Sequence, residues 1–170
     1  DTGAMFRALA YICDREGVEF VEGDKLHAFL GQLEMRYGVD ENTLIQIDGE
    51  NLTHKIRDHH ISKLASIVSQ LPSVRQFLLD FQRRLAVEVT CVMEGRDIAT
   101  VVFPDAFCKF FITASTEVRA KRRLEQLRGA GETRVSLQQV IEDVKKRDES
   151  DTDRQFAPLK KADDAFYLDT

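Results

Sequence analysis

Two stretches in the second half of the chain, VTCVM at 89–93 and FCKFFITA at 107–114, are apolar almost without interruption. A strand with one wet face alternates apolar and polar residues; a strand covered on both faces has no reason to. Short runs of this texture predict strands of a parallel sheet with helices packed on both sides. The intervening sequence agrees. Ser115 is placed to cap a helix over 116–128, with Thr116 and Glu117 in its first turn. RGAGET (128–133) reads as a mobile loop, SLQQVIEDVKKRD as a second helix, and DDAFYLDT as a strand at the C-terminal end. Strand, helix, helix, strand is the order of an α/β sheet joined by crossover helices.

The first half has a different rhythm. Met5, Leu9, Ala10 and Cys13 predict a helix over 3–14, ended near Gly17, with VEFVEG as a short strand or extended link. Leu26, Phe29, Leu30 and Leu33 predict another over 24–36. NTLIQIDGENLT alternates around Asp48-Gly49 and predicts a hairpin. Two helices follow, about 55–70 and 73–86, with Pro72 suited to the start of the second because a missing N–H costs nothing there. Residues of roughly 18–86 thus read as a lobe inserted into an α/β chain.

Composition removes several function classes. Net charge is 24 − 29 = −5, so there is no global basic field for nucleic acid. Residues 119–161 hold twelve of the 24 Lys and Arg, but eight acids interleave with them and no aromatic lies between 112 and 155 to stack on bases. Cys13, Cys91 and Cys108 have apolar neighbours and no CxxC spacing, which predicts reduced, buried thiols and no zinc site. No apolar run reaches the roughly 20 residues of a membrane span, and no signal-peptide pattern precedes the first helix. The expected compartment is the cytoplasm.

Ligands of open parallel sheets bind beyond the carboxyl ends of the strands. Gly95, Arg96 and Asp97 follow the run 89–93 directly. Arg147, Asp151 and Arg154 recur at i, i+4 and i+7, on one helix face. Each group alone has an ordinary reading, a turn with a salt bridge or a solvated charge ladder. Both also suit a clamp, with arginines for phosphate oxygens and a carboxylate for ribose hydroxyls.

Four ordered segments carry a resemblance. DTGAMFR (1–7) resembles D-[ST]-G-A-[MI]-[YF]-R, and LPSVRQFLLDFQR (71–83) an L-P-x-V-R helix start. GRDIATVVFPDA resembles G-R-D-x-G-T-x-V-x-P-x-A, and RDESDTDRQFAPLKKADDAFYLDT resembles R-D-x-x-D-x-x-R…P-L-x-x-A-x-D-A. Together they are similar to the bacterial cytidylate kinases, nucleoside-monophosphate (NMP) kinases of the P-loop fold, along essentially the whole chain.

That resemblance implies a three-layer, parallel-sheet P-loop NTPase-like core (about 1–17, 87–127 and 150–170), an NMP-binding lobe of helices plus a small antiparallel sheet (18–86), and a helical lid (128–149). It implies phosphoryl transfer from MgATP to CMP or dCMP, with ATP, CMP and dCMP as partners, no nucleic acid or membrane, and a monomer. Residue by residue, Arg7, Arg96, Arg147 and Arg154 surround phosphates, with Arg96, Arg147 and Arg154 catalytic. Thr2 stands near the acceptor and Asp151 at its ribose. Ser66, Arg75 and Asp97 read the cytosine edge, and Arg122 and Arg123 face the donor.

The chain departs from the pattern in places. Glu94 stands for an aspartate, Ala99 for a glycine, Phe6 for a tyrosine and Thr2 for a serine. The largest departure is that G-x-x-x-x-G-K-[ST], which cradles ATP phosphates and holds magnesium through its hydroxyl, occurs nowhere in the 170 residues. The expectation is of a fragment of a longer kinase, inactive alone, with the magnesium ligands in the segment bearing that motif. A non-catalytic nucleotide-binding module, or a kinase of UMP or another monophosphate, are the alternatives.

Overall fold

The structure, a computed structural model, describes residues 1–87, 89–129, 131–132 and 134–170. It is an α/β chain that divides into two compact units, 1–95 and 96–170.

In the first unit, α1 (Thr2–Arg15) opens under a side-chain cap: Asp1 accepts from the Ala4 N–H at 3.0 Å. α2 is Asp24–Leu30, followed by a three-stranded antiparallel sheet of β1 (Met35–Asp40), β2 (Thr43–Ile47) and β3 (Glu50–Asn51) in sequential order. The β2–β3 turn is Asp48-Gly49, with φ of 49° and 82°, the paired left-handed geometry that favours Asx-Gly. A 3-10 turn at Lys55–Arg57 leads into α3 (His59–Val68) and α4 (Pro72–Leu85), with Pro72 in the first turn as expected. The apolar faces of α1, α3 and α4 enclose Met5, Leu9, Ile45, Leu52, Val68 and Leu78, all fully buried. Each such side chain contributes about 1.5–3 kcal/mol over leaving it exposed.

Two expectations fail here. The helix expected over 24–36 stops at Gly31, because Met35 and Tyr37 pair with Ile47 and Ile45 across the sheet. A helical spacing in Leu26, Leu30 and Leu33 was overridden by that cross-strand pairing. The run 89–93 is not a buried strand: no main-chain hydrogen bond among the described residues joins it to another strand, and Val92 is fully exposed. An apolar run becomes a buried strand only where layers cover both its faces, a tertiary condition that composition does not supply. Cys91 lies in this exposed stretch, and Cys108 is exposed before the next strand. Only Cys13 matches the expectation of a buried thiol, and its burial pushes the thiol up to about 11.

In the second unit, a π-helical turn, Ile98–Val102, follows Asp97. β4 (Phe110–Thr113) then leads through α5 (Thr116–Gly129) and α6 (Leu137–Asp153) to β5 (Phe166–Asp169). β4 and β5 pair in parallel, Phe110 with Phe166 through Thr113 with Asp169, so the crossover expected from the element order is present. The strand expected over 107–114 is shorter than its apolar run, and it is not covered on both faces as expected: Phe110 and Ile112 are 55% and 66% exposed, and Phe166 and Tyr167 of β5 are 63% and 60% exposed. Ser115 accepts from the Val118 N–H at 3.2 Å, the expected cap, and Ser136 with Gln139 forms a capping box on α6. Ala120, Leu124 and Leu127 of α5 pack on Val140 of α6. Of the loop expected at 128–133, Ala130 and Thr133 lie outside the described residues. Among the described residues no helix is long and apolar enough to cross a membrane.

Candidate active site

The second unit gathers four of the residues singled out by spacing. α6 carries Arg147 and Asp151 and ends at Arg154. Asp151 is 5% exposed, and its carboxylate is the hub. Arg96 donates from Nε to Oδ2 at 3.0 Å, Arg154 from Nη1 to Oδ1 at 3.3 Å, and Arg147 Nε stands 3.9 Å from Oδ2. Arg154 is fixed at its other edge by donating from Nε to the Ala157 carbonyl at 2.6 Å. Ala157 takes a φ of 51° to aim that carbonyl, a left-handed conformation uncommon outside glycine. The Asp151 carbonyl in turn accepts from the Leu159 N–H at 2.7 Å, closing the chain back onto the end of α6.

Three guanidiniums converge on this one carboxylate. Like charges brought this close repel, so the carboxylate between them is what lets them converge. A carboxylate has about four lone-pair sites, so Asp151 keeps capacity for a further hydroxyl donor. The arrangement is suited to an anion with several oxygens attached to a hydroxyl-bearing ring.

Asp97, next to Arg96, is also buried, at 8% exposed. Its carbonyl accepts from the N–H groups of Thr100, Val101 and Val102, the last of these a π-helical bond. That turn was not legible in IATVV, which has neither the length nor the periodicity of a helix. Arg122 and Arg123 lie on α5 and bond elsewhere than Asp151. Arg122 donates to Thr170 Oγ1 at 3.0 Å, beyond the carboxyl end of β5, and Arg123 to Gln126 Oε1 at 3.5 Å.

In the first unit, Thr2 is buried and its Oγ1 donates to the Glu94 carbonyl at 2.8 Å, beside the N-terminus of α1. Arg7, one turn on, pairs with the Asp1 carboxylate at 2.9 Å. Burial draws Arg7 below its ordinary value, opposed by Tyr37 and Glu94. Gly3 makes room for this pair: a Cβ there would stand 2.9 Å from Asp1 Oδ1 and 3.1 Å from Arg7 Nη1. Ser66 lies on α3, half-buried. Arg75, in the first turn of α4, donates to the Ser69 carbonyl at 2.9 Å and lays its guanidinium 5.5 Å from the Phe6 ring centroid. Arg75 is therefore a docked arginine rather than a free surface one.

Among the described residues no group of three or more His, Cys, Asp or Glu could hold a metal ion.

One pairing was not foreseen. Arg119 of α5 and Asp148 of α6, 29 residues apart, form a two-pronged ion pair at 2.9 and 2.7 Å. The hydrogen bond that Arg119 donates to Asp148 is the main cause that raises Arg119 above its ordinary value. No local spacing signals such a contact.

Comparisons with known proteins bear on this geometry. A family model described as "Cytidylate kinase" matches residues 1–170. A protein named "Cytidylate kinase" from Pseudomonas putida (strain W619) is 41% identical over 173 residues, covering 100% of this chain and 75% of its own length. Proteins of the same name from Halalkalibacterium halodurans and Caldanaerobacter subterraneus subsp. tengcongensis are 41% and 40% identical. Each covers all of this chain, which spans 77% and 74% of their lengths.

Proposed function

This chain belongs to the cytidylate kinase family, a family of nucleoside-monophosphate kinases, and from that premise we propose that it carries the acceptor half of a CMP/dCMP kinase. The reaction is transfer of the γ-phosphoryl group of MgATP to a phosphate oxygen of CMP or dCMP. A new P–O bond forms to the acceptor, the bond to the β-phosphate oxygen breaks, and ADP leaves. The observation that carries this reading is the convergence of Arg96, Arg147 and Arg154 on Asp151.

Phosphoryl transfer asks a protein mainly for positioning and for neutralisation of oxygen charge. The three arginines supply both, because planar guanidiniums grip phosphate oxygens in pairs. In the first unit, Arg7 serves phosphate oxygens by exchanging its Asp1 partner for phosphate. Thr2 borders the acceptor, and Asp151 takes a ribose hydroxyl with its remaining lone pairs. Arg122 and Arg123 serve the donor nucleotide. Residues 128–149 form the lid that excludes water from the transferring group, 18–86 the NMP-binding lobe, and the remainder a P-loop-type core.

Asp97, Ser66 and Arg75 read the base. Cytosine offers an amine donor beside ring-nitrogen and carbonyl acceptors; a carboxylate takes the first, and Arg and Ser donate to the others. Uracil inverts two of these groups and leaves partners mismatched, the buried Asp97 among them, at about 1–3 kcal/mol each. Asp97→Ala is accordingly expected to lower the ratio of CMP to UMP affinity by about tenfold or more. Equal loss of both ligands would place Asp97 outside base recognition.

The 170 residues contain no G-x-x-x-x-G-K-[ST] run. Alone, they are expected to bind CMP without turning over ATP; joined to a segment that carries such a run, they are expected to form CDP and ADP. The test is a nucleotide assay on both proteins with CMP, dCMP, UMP and AMP as acceptors. Preferential product from UMP or AMP in the joined protein would overturn the cytidylate assignment.

A further inference from the structure

The Arg119–Asp148 pair lies outside the residues given roles above, yet its bonding reaches three elements of the second unit. Arg119 donates from Nε to the Ala114 carbonyl at 3.0 Å, just past the end of β4. Its Nη2 lies 3.4 Å from Thr116 Oγ1 at the start of α5, and both Nη groups meet the two oxygens of Asp148 on α6. The side chains are 34% and 30% exposed, intermediate between a solvated surface pair and a core one. A pair between two helices alone would be a minor contact. This guanidinium instead spans a strand end, a helix start and the following helix.

Asp148 sits between Arg147 and Asp151, three residues before the hub. On an α-helix, residues three apart share a face and rise together. A rotation or slide of α6 that re-aimed Asp151 would also pull Asp148 off Arg119. We infer that Arg119 and Asp148 are a positioning pair that fixes the rotation and height of α6 against the end of β4, and so sets the aim of Arg147, Asp151 and Arg154. The pair touches no reacting atom itself. The inference concerns the phosphate-binding arrangement and rests on the functional reading above for its consequence, though not for its geometry.

Two readouts on the folded chain test it, with Arg119→Met, Arg119→Lys, Asp148→Asn and the Arg119→Met/Asp148→Asn double variant. The first is solvent exchange of the Arg154 Nε–H, held by the Ala157 carbonyl and read by nitrogen-15 NMR without ligand. Arg119→Met and Asp148→Asn are each expected to speed it by about tenfold, the double variant to add little beyond either, and Arg119→Lys to fall between. The second is binding of CMP and of cytidine: CMP affinity is expected to fall about tenfold and cytidine by less than threefold, because cytidine lacks the phosphate. A general loss of structure would weaken both ligands alike and lower the thermal midpoint in every variant. Arg154 exchange within twofold of wild type in Arg119→Met would overturn the inference whether or not CMP binds. Failure of the unsubstituted chain to bind CMP would count against the functional reading, and the exchange measurement would still decide the pair.

Discussion

Asp151→Ala is expected to remove about 3–5 kcal/mol of folding stability from the second unit, because it strips the counter-ion from a buried arginine. The size follows from burial. Asp151 and Arg154 side chains are 7% and 5% exposed, so Arg154 has little water to turn to when its partner goes. Arg96 and Arg147 are about half exposed, and their share of the loss is screened. Repulsion among the three cations, offset in the folded state by the carboxylate, adds to the cost. Asp151→Asn keeps the shape and one accepting oxygen and is expected to cost less, about 1–3 kcal/mol. Urea unfolding followed by circular dichroism measures both. An Asp151→Ala chain within about 1 kcal/mol of wild type would contradict the reading of Asp151 as the hub.

Arg96→Ala should act in the opposite way, on binding rather than on folding. At 43% exposed, Arg96 leaves solvated space when it is removed, and the stability change is expected to stay within about 1 kcal/mol. A guanidinium in contact with a phosphate is worth more, and CMP affinity is expected to fall by about 10–100-fold. Arg96→Lys is expected to recover part of this, since an ammonium keeps the charge and loses the planar fork. Calorimetric titration with CMP, beside unfolding curves of the same variants, separates the two effects. An Arg96→Ala chain that binds CMP as wild type does would remove Arg96 from the phosphate site.

The parts of the chain that were legible in sequence are those with local causes. α1, α4 and α5 announce themselves by apolar spacing and by Pro72 or Ser115 at their starts, and the β2–β3 turn by Asp48-Gly49. The failures share a different cause. Residues 35 and 36 lie inside the window expected to be helical but pair with β2, and 89–93 carry strand composition without the cover that would bury it. In the site, Arg147, Asp151 and Arg154 were readable because one helix spaces them, and Arg96 because it follows a glycine after an apolar run. That Arg96 meets Asp151 across 55 residues, or Arg119 meets Asp148 across 29, is a property of the folded chain alone. Gly3 and Ala157 are intermediate cases, since their reasons, room beside Asp1 and Arg7 and a carbonyl aimed at Arg154, show only once the partners are placed.

An acceptor site for a cytidine monophosphate on this chain has a direct consequence for binding. Calorimetric titration of the 170-residue chain with CMP, with UMP as the control and circular dichroism to establish folding, tests it most directly. Saturable CMP binding is expected, with UMP weaker by at least about tenfold because its inverted edge mismatches partners that include the buried Asp97. A folded chain that binds neither nucleotide, or both equally, would contradict it.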